Sequence, residues 1–158
     1  MKTKTRISLI TLCLILFSIS NCKNYENKKN AETKESFSEE QISRMLKSFY
    51  TSYINANAEL NNKKSDSIQN KYCTQNLLNS IRKKFAENSL DYDPFLHSQM
   101  IDITMLENMN IQKDSLKNDI YYFSYFRPYY KKYVTIKLGI LKEKNCYKID
   151  QIFLEYQR

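Results

Sequence analysis

The chain has 158 residues and a net charge of +8, from 25 Lys and Arg against 17 Asp and Glu. Its basic residues are scattered, mostly as adjacent pairs, without a long run or an RNA-binding signature, which argues against nucleic acid as a partner. The single glycine, Gly139, excludes a glycine-rich phosphate loop, and a single histidine argues against a catalytic zinc site, which usually needs more than one.

The N-terminus has the three-part layout of a secretory signal. Lys2, Lys4 and Arg6 precede an apolar run over residues 7–19 that is too short to cross a bilayer comfortably. Cys22 follows directly after "ISN", and the segment resembles the lipobox of bacterial lipoproteins. The resemblance implies that residues 1–21 are a signal peptide that is removed, and that Cys22 carries acyl chains that anchor the protein to a membrane. An ordinary signal peptide cleaved nearby is the alternative.

A tether and one folded domain are predicted for the rest of the chain. Residues 22–36, which begin at the lipidated Cys22, are too polar to bury much surface, so they are predicted to be a flexible tether to a single domain over 37–158. Ser38 and Gln41 have capping-box spacing, which predicts that the first helix begins there. Its apolar stripe recurs at steps of three and four: Ile42, Leu46, Phe49, Tyr53, Ala56 and Leu60.

Two further helices and a run of strands are predicted next. Residues 74–87 show a second helical pattern with Thr74 as its N-cap, and residues 65–73 are a candidate short helix. Strands are predicted within residues 100–112, 119–126, 133–141 and 146–156, with a hairpin at Pro128. Residues 133–141 alternate cleanly, with Val134, Ile136, Leu138 and Ile140 on one face and Tyr133, Thr135 and Lys137 on the other. Helices followed by a run of strands predict an α+β fold, with the helices packed on one face of a curved antiparallel sheet.

Four groups of residues match the motifs of one bacterial family. The matched residues are Phe49, Tyr50 and Tyr53; Tyr72, Thr74 and Leu77; Asp91, Asp93, Pro94, Phe95 and Gln99; and Tyr147, Ile149 and Ile152. In these motifs the chain resembles domain-of-unknown-function family 3828, a family of small lipoproteins. The resemblance implies a fold similar to nuclear transport factor 2, a conical α+β domain whose curved sheet wraps around helices. It implies no established reaction.

The stretch "DYDPFLHSQ" combines acids, a proline, the histidine and a glutamine, a combination that has three interpretations. A metal site lacks a second histidine, and Pro94 prevents a regular helical spacing of ligands. An acid–base site using Asp91, Asp93 or His97 has no identifiable substrate. The favoured interpretation is architectural. Asp91, Asp93 and Pro94 end the helical layer, Phe95 fills the core and Gln99 hydrogen-bonds buried backbone.

Aromatic residues and cysteines supply the remaining candidates. The segment "YYFSYFRPYYKKY" predicts a binding surface, because tyrosine offers apolar area with a polar end; its candidate residues are Tyr121, Tyr125, Arg127, Tyr129, Tyr130 and Tyr133. Outward tyrosines that merely cover the sheet are the alternative. Cys73 and Cys146 are predicted to be two small buried thiols, with a disulfide between them as the alternative.

These observations predict a non-enzymatic protein of the bacterial cell envelope. It would be held by its lipid anchor on the periplasmic or surface face of the outer membrane. Its domain would bind an envelope protein or a small apolar ligand, without a cofactor, a metal or nucleic acid. Two alternatives remain: an enzyme or apolar-ligand carrier that uses the cavity of the cone, and an envelope immunity protein.

Overall fold

The computed structural model describes the backbone of residues 23–154 and the side chains of residues 38–154. The predicted signal peptide and Cys22 therefore lie outside the described residues. The chain divides into two units, Met1–Ser38 and Glu39–Arg158, and the contacts below all lie within the second. The elements are helices α1 (Lys23–Ala58), α2 (Asn62–Tyr72) and α3 (Gln75–Ala86), a 3₁₀ turn (Ile103–Leu106), and strands β1 (Asn110–Lys113), β2 (Ile120–Arg127), β3 (Lys132–Glu143) and β4 (Cys146–Phe153).

The four strands form one antiparallel sheet in the order β1-β2-β3-β4, a meander that does not close into a barrel. Helices pack on one face of this sheet, as the α+β prediction required. Tyr50 of α1 stacks on Phe123 of β2 with ring centroids 3.4 Å apart. Phe95, from the loop after α3, meets Phe49 of α1 edge-on at 5.2 Å. The core thus combines aromatic rings with a larger number of aliphatic side chains between helix and sheet.

Helix α1 differs from its prediction at both ends. It runs from Lys23, so Ser38 lies inside the helix rather than at its cap, and residues 23–36 are helical where a flexible tether was predicted. The physical reason is composition, because residues 23–58 contain neither glycine nor proline and many strong helix formers. At the other end the helix stops at Ala58. Leu60, predicted on the apolar stripe, adopts a positive φ of 54° and is 87% exposed.

The core-facing side of α1 is wider than the predicted stripe. The first five stripe residues are buried as expected, and Tyr50 and Ile54 are fully buried beside them. A helix that packs between a sheet and other core elements buries a broad face, so neighbours at steps of one and four join the stripe. Tyr50 therefore belongs to the core rather than to the surface.

Helices α2 and α3 agree well with the sequence. Helix α2 begins earlier than residue 65, because the Asn61 side chain accepts the Lys64 N–H at 3.1 Å and caps it. Thr74 caps α3 as predicted, and its Oγ1 accepts the Leu77 N–H at 3.2 Å. The same hydroxyl donates to Asp150 Oδ1 at 2.7 Å, so one side chain joins the start of α3 to β4.

We expect Thr74→Ala to lower the free energy of unfolding by about 1–2 kcal/mol, because it removes both an N-cap and a hydrogen bond to β4. Thr74→Ser keeps the hydroxyl and serves as the matched control. Chemical denaturation of the two variants measures the difference. Equal stability of the alanine and serine variants would show that the hydroxyl contributes nothing.

The structure confirms the predicted alternation of buried and exposed residues in β3. The first predicted strand is shorter than expected. Val134, Ile136 and Leu138 are buried, and Tyr133 on the opposite face is exposed. Within residues 100–112, Ile103–Leu106 form the 3₁₀ turn, and only the last three residues lie in strand β1, Asn110–Lys113. Gly139 lies where β3 and β4 shift register, and an added Cβ would approach the Gln151 Cβ to 3.1 Å. A glycine therefore permits the close approach of these strands.

Candidate functional site

The stretch 93–98 forms a closed loop organised around the Asp93 side chain. Asp93 Oδ1 accepts the N–H groups of Phe95 at 2.8 Å and Leu96 at 3.0 Å. The Asp93 N–H donates to the Ser98 carbonyl at 2.9 Å and closes the loop. This geometry presents Phe95 and Leu96 to the core, where both are buried. The carboxylate therefore satisfies backbone donors that the tight loop would otherwise leave unpaired.

Two tyrosines fix this loop to the helical layer and to the sheet. The Tyr53 hydroxyl of α1 donates to Asp93 Oδ2. The Tyr125 hydroxyl of β2 donates to the Leu96 carbonyl at 2.6 Å. Asp93 thus accepts three hydrogen bonds from within the protein. The loop is held at one end by a helix and at the other by a strand, which makes it the junction of the two layers.

Burial strongly perturbs the Asp93 carboxyl. Removal from water raises its pKa from 3.8 to about 6, although the hydrogen bonds from Tyr53, Phe95 and Leu96 act in the opposite direction. Burial and the nearby carboxyl together raise the pKa of Tyr53, so this phenol stays protonated and donates. The pair is therefore a buried carboxyl facing a neutral phenol at neutral pH.

Two further polar atoms lie buried near this loop without a hydrogen-bond partner. They are the Tyr50 hydroxyl and Nε2 of His97. The backbone of His97 adopts a positive φ of 47°, and its ring meets Tyr92 edge-on at 5.7 Å. Burial, followed by the charge of Arg127, lowers the pKa of His97, which is therefore neutral at pH 7. The loop therefore carries both a neutral imidazole and a buried acid.

The other residues of the predicted motif lie in different environments. Asp91 and Gln99 are exposed, whereas Pro94 and Phe95 are buried. The prediction that Gln99 hydrogen-bonds buried backbone was wrong, because the chain turns outward after Ser98 and the Ser98 hydroxyl instead bonds to the Met100 backbone. Asp91 is exposed as well, so its carboxylate does not share a buried site with Asp93. Within residues 38–154, no group of three or more His, Cys, Asp and Glu is placed to hold a metal ion.

The second candidate surface is the end of the β2–β3 hairpin, residues 126–133, which we call the hairpin tip. Strand β2 ends at Arg127, the turn Pro128–Lys131 is closed by a Lys131 N–H to Pro128 carbonyl bond at 3.2 Å, and β3 begins at Lys132. Tyr129 is 89% exposed, and Tyr130 and Tyr133 are each 60% exposed. The Arg127 guanidinium lies over the Tyr130 ring, 5.4 Å from its centroid.

Two of the six predicted surface residues belong to the core instead. Tyr121 and Tyr125 are fully buried on the helix-facing side of β2, together with Phe123. Alternation places every second residue of β2 on one face, but both faces of this strand are aromatic, so the sequence did not indicate which was covered. Arg127, Tyr129, Tyr130 and Tyr133 remain in the candidate surface, and Phe126 joins them through its ring contact with Tyr133 at 5.2 Å.

The hairpin tip projects beyond the neighbouring strands. Strand β1 pairs with β2 only as far as Ser124, and, within the described residues, β4 pairs with β3 only from Lys137 onward. Beyond these points, among the described residues, β2 and β3 pair only with each other, and their last pair is Arg127 opposite Lys132. Three residues of β2 extend past β1, which corresponds to roughly 10 Å at the usual rise of an extended strand.

Both cysteines in the described part of the chain are free thiols, Cys73 buried and Cys146 exposed. The alternative of a disulfide was wrong, and so was the expectation that Cys146 is buried. Cys73 pairs with Ile149, and Cys146 lies three residues before Ile149 at the start of β4. That separation along the strand is roughly 10 Å, which is beyond the reach of a disulfide. Burial raises the pKa of the Cys73 thiol to about 12, which makes it unreactive.

Open grooves lie elsewhere on the domain. One runs between α3 and β4 and is lined by Asn76, Leu77, Ser80 and Asp150–Phe153. Another, of about 200 Å³, lies where α2, α3 and β4 meet, beside Asn70, Thr74 and Lys148. Neither groove is lined by Asp91, Asp93 or His97. The sequence motif and these surface grooves are thus different parts of the molecule.

The contact between Tyr53 and Asp93 was not foreseen from the sequence. The two residues are 40 positions apart, and each was explained locally, Tyr53 as part of an apolar stripe and Asp93 as a turn residue. A tyrosine rather than a phenylalanine on a buried helix face was the available signal, because a buried hydroxyl needs a partner.

Comparison with known proteins supports the fold alone. The structure is similar to the crystal structure of a protein of unknown function from Bacteroides thetaiotaomicron VPI-5482, with a TM-score of 0.68 and 20% identity. The match covers 80% of this chain and 98% of that one. No protein-family model and no curated protein matches the chain. Among the described residues, no helix is both long and apolar enough to cross a membrane.

Proposed function

We propose that this chain is a lipid-anchored protein of the bacterial cell envelope whose domain binds a partner protein or a small ligand and catalyses no reaction. The anchor is Cys22, placed directly after an apolar signal-like run. The proposed lipoprotein family is the one whose motifs the chain resembles, domain-of-unknown-function family 3828. The bilayer contacted by the anchor is that of the outer membrane, on its periplasmic or surface face.

The observation that carries the non-catalytic proposal is the engagement of Asp93. Its two carboxylate oxygens accept three hydrogen bonds from Tyr53, Phe95 and Leu96, all within the protein. A general base must reach a substrate proton with a free lone pair in a fitting direction. The carboxylate that the sequence offered for chemistry is instead committed to holding a loop, which supports binding over turnover.

The domain offers two kinds of surface for a partner. The groove along α3 and β4 mixes amide, hydroxyl and apolar side chains, as sites for small ligands and peptide segments do. The hairpin tip offers exposed tyrosines and cationic side chains. Tyrosine is enriched at interfaces because it contributes apolar area and a hydrogen-bonding end at low entropic cost.

A second candidate function is an enzyme or apolar-ligand carrier. It is favoured by the raised pKa of Asp93 and by the unpartnered Tyr50 hydroxyl and His97 Nε2, because perturbed groups concentrate at functional sites. An Asp93→Asn variant that keeps its fold separates the two proposals. Loss of a turnover with unchanged stability would support this candidate against the first.

Lipidation is tested on the chain produced in a host that processes lipoproteins. We expect Cys22 to carry a diacylglycerol thioether, residues 1–21 to be absent, and the protein to enter the detergent phase on phase separation. Cys22→Ser is the matched control and should leave the protein unacylated. Intact-protein mass spectrometry reads both outcomes, and an unmodified cysteine in the natural chain would contradict the anchor.

Partner binding is tested separately by photo-crosslinking from Ser80 in the groove. The protein is held in its native membrane, and Glu107, which is exposed and lies outside the groove, is the control position. A discrete adduct from Ser80 alone is expected. Equal labelling from both positions, or none, would contradict binding at the groove.

A further inference from the structure

We infer that the hairpin tip, Phe126–Tyr133, is a membrane-contact site that binds the interface of an anionic phospholipid bilayer. The inference goes beyond the proposed function, because it assigns the tip an occupant other than a protein partner. It uses the proposed function in one respect only, the presence of a membrane near the domain. It is carried by the charge, the chemistry and the shape of the tip.

The charge of the tip is of one sign. The sequence contains no Asp or Glu between Ile120 and Lys142, a stretch that includes the tip and both of its strands. Arg127, Lys131 and Lys132 lie at the tip itself, and the two lysines are exposed. Such a local excess of positive charge is attracted to the negative surface potential of a bilayer that contains anionic lipids.

The uncharged side chains of the tip are those that favour the membrane interface. Tyr129, Tyr130 and Tyr133 present an apolar ring with a polar end, which suits the boundary between headgroups and acyl chains. The rings of Tyr129 and Tyr130 meet edge-on at 5.0 Å, and Phe126 lies against Tyr133. Lysine side chains beside such rings extend their apolar stems along them while their ammonium groups reach the phosphates.

The shape of the tip distinguishes a bilayer from a folded protein partner. The tip projects roughly 10 Å past β1, and its turn ends in the 89% exposed Tyr129. A protein would need a concave acidic pocket to cover such a protruding end and its rings. A fluid interface adapts to a convex surface without a preformed pocket, so the projecting turn fits it directly.

The chain contains no tryptophan, which allows a clean fluorescence test. Tyr129→Trp introduces a single reporter at the tip of the full-length protein. Leu116→Trp is the matched control: Leu116 is 91% exposed and lies in the β1–β2 turn, at the other end of β2. Each protein is reconstituted with vesicles of phosphatidylglycerol and phosphatidylethanolamine, or of phosphatidylcholine alone, with and without brominated acyl chains.

We expect the emission of Trp at position 129 to shift to shorter wavelength and to be quenched by brominated lipid on the anionic vesicles only. The reporter at 116 should show neither change. No change at 129, equal quenching on phosphatidylcholine, or equal quenching at both positions would overturn the inference. A shift at 129 produced by polyglutamate, without quenching by lipid, would overturn it in favour of an acidic protein partner.

A charge variant tests the electrostatic part. Lys131→Asn removes one tip charge at a residue whose φ is 49°, a conformation that asparagine adopts readily. Lys144→Asn is the control, since Lys144 is also exposed in a hairpin turn with a φ of 51°. In the Tyr129→Trp background, quenching of the Trp emission gives the ratio of membrane-bound to unbound tip. This ratio should fall about fivefold for Lys131→Asn and stay unchanged for Lys144→Asn. Equal effects of the two variants would contradict a specific role of the tip.

The proposed anchor and the proposed membrane contact of the tip are disproved by different observations. An unmodified Cys22, seen by mass, would disprove the anchor whatever the fluorescence shows. Unquenched Trp at position 129 on a fully acylated protein would disprove the tip contact and leave the anchor intact.

Discussion

Replacing Asp93 with alanine is expected to lower the free energy of unfolding by roughly 2–3 kcal/mol at pH 7. The substitution removes the acceptor of the Phe95 and Leu96 N–H groups and the acceptor of the Tyr53 O–H. Removing the buried charge partly offsets this loss of stability at pH 7. As the pH is lowered the natural carboxyl becomes neutral, so the difference in stability between the natural protein and the alanine variant should grow. Urea denaturation at pH 7 and pH 5 measures both effects.

Asp93→Asn is the matched control for this experiment. Its amide oxygen still accepts from the two backbone N–H groups, and its amide nitrogen donates to the Tyr53 oxygen. The asparagine variant should therefore be at least as stable as the natural protein at neutral pH. If the alanine variant kept its full stability but lost partner or ligand binding, the architectural role of Asp93 would be refuted.

The stability of the natural protein is expected to fall as the pH rises from about 4 to about 6. The Asp93 pKa is about 6 in the folded chain and close to 3.8 when unfolded, so the folded state binds more protons within this window. The stabilising contribution is complete below the unfolded pKa and is lost above the folded one. At 1.36 kcal/mol for each pKa unit, the change is on the order of 3 kcal/mol.

The pH effect is measured by denaturation across pH 4–7 with the asparagine variant as reference. The difference between the two proteins isolates Asp93 from the exposed carboxyls. Asp102 and Asp114 act in the opposite direction, because hydrogen bonds from nearby backbone N–H groups lower the pKa of each. A difference curve that is flat over pH 4–6 would refute a buried, ionisable Asp93.

Both expectations concern the loop that is organised around Asp93. A short acidic loop holds Phe95 and Leu96 in the core, and its carboxylate is the point at which helix α1 and the loop meet. The buried charge weakens the fold at neutral pH, whereas the hydrogen bonds it accepts position the loop. The hairpin tip is built differently. Tyr129, Lys131 and Lys132 are exposed there, so changing them should alter association rather than stability.

Local patterns in the sequence were enough to place most of the elements. The alternation of Val134, Ile136 and Leu138 predicted a half-buried strand, and the spacing of the α1 stripe predicted its buried face. Thr74 before a periodic apolar run predicted a helix start that the structure confirms. Such features depend on neighbours within a few residues, so the chain carries them explicitly.

Periodicity is a local property, so the residues alone were enough to predict the order of helices and strands, the α+β class and the buried face of β3. Tertiary structure alone decided that Tyr121 and Tyr125 are buried while Tyr129 and Tyr130 project. It also decided that Tyr53 meets Asp93 and that Gln99 faces water. These outcomes depend on where β1 and β4 stop and on which sheet face the helices cover, and such long-range pairings leave no signature in the local sequence.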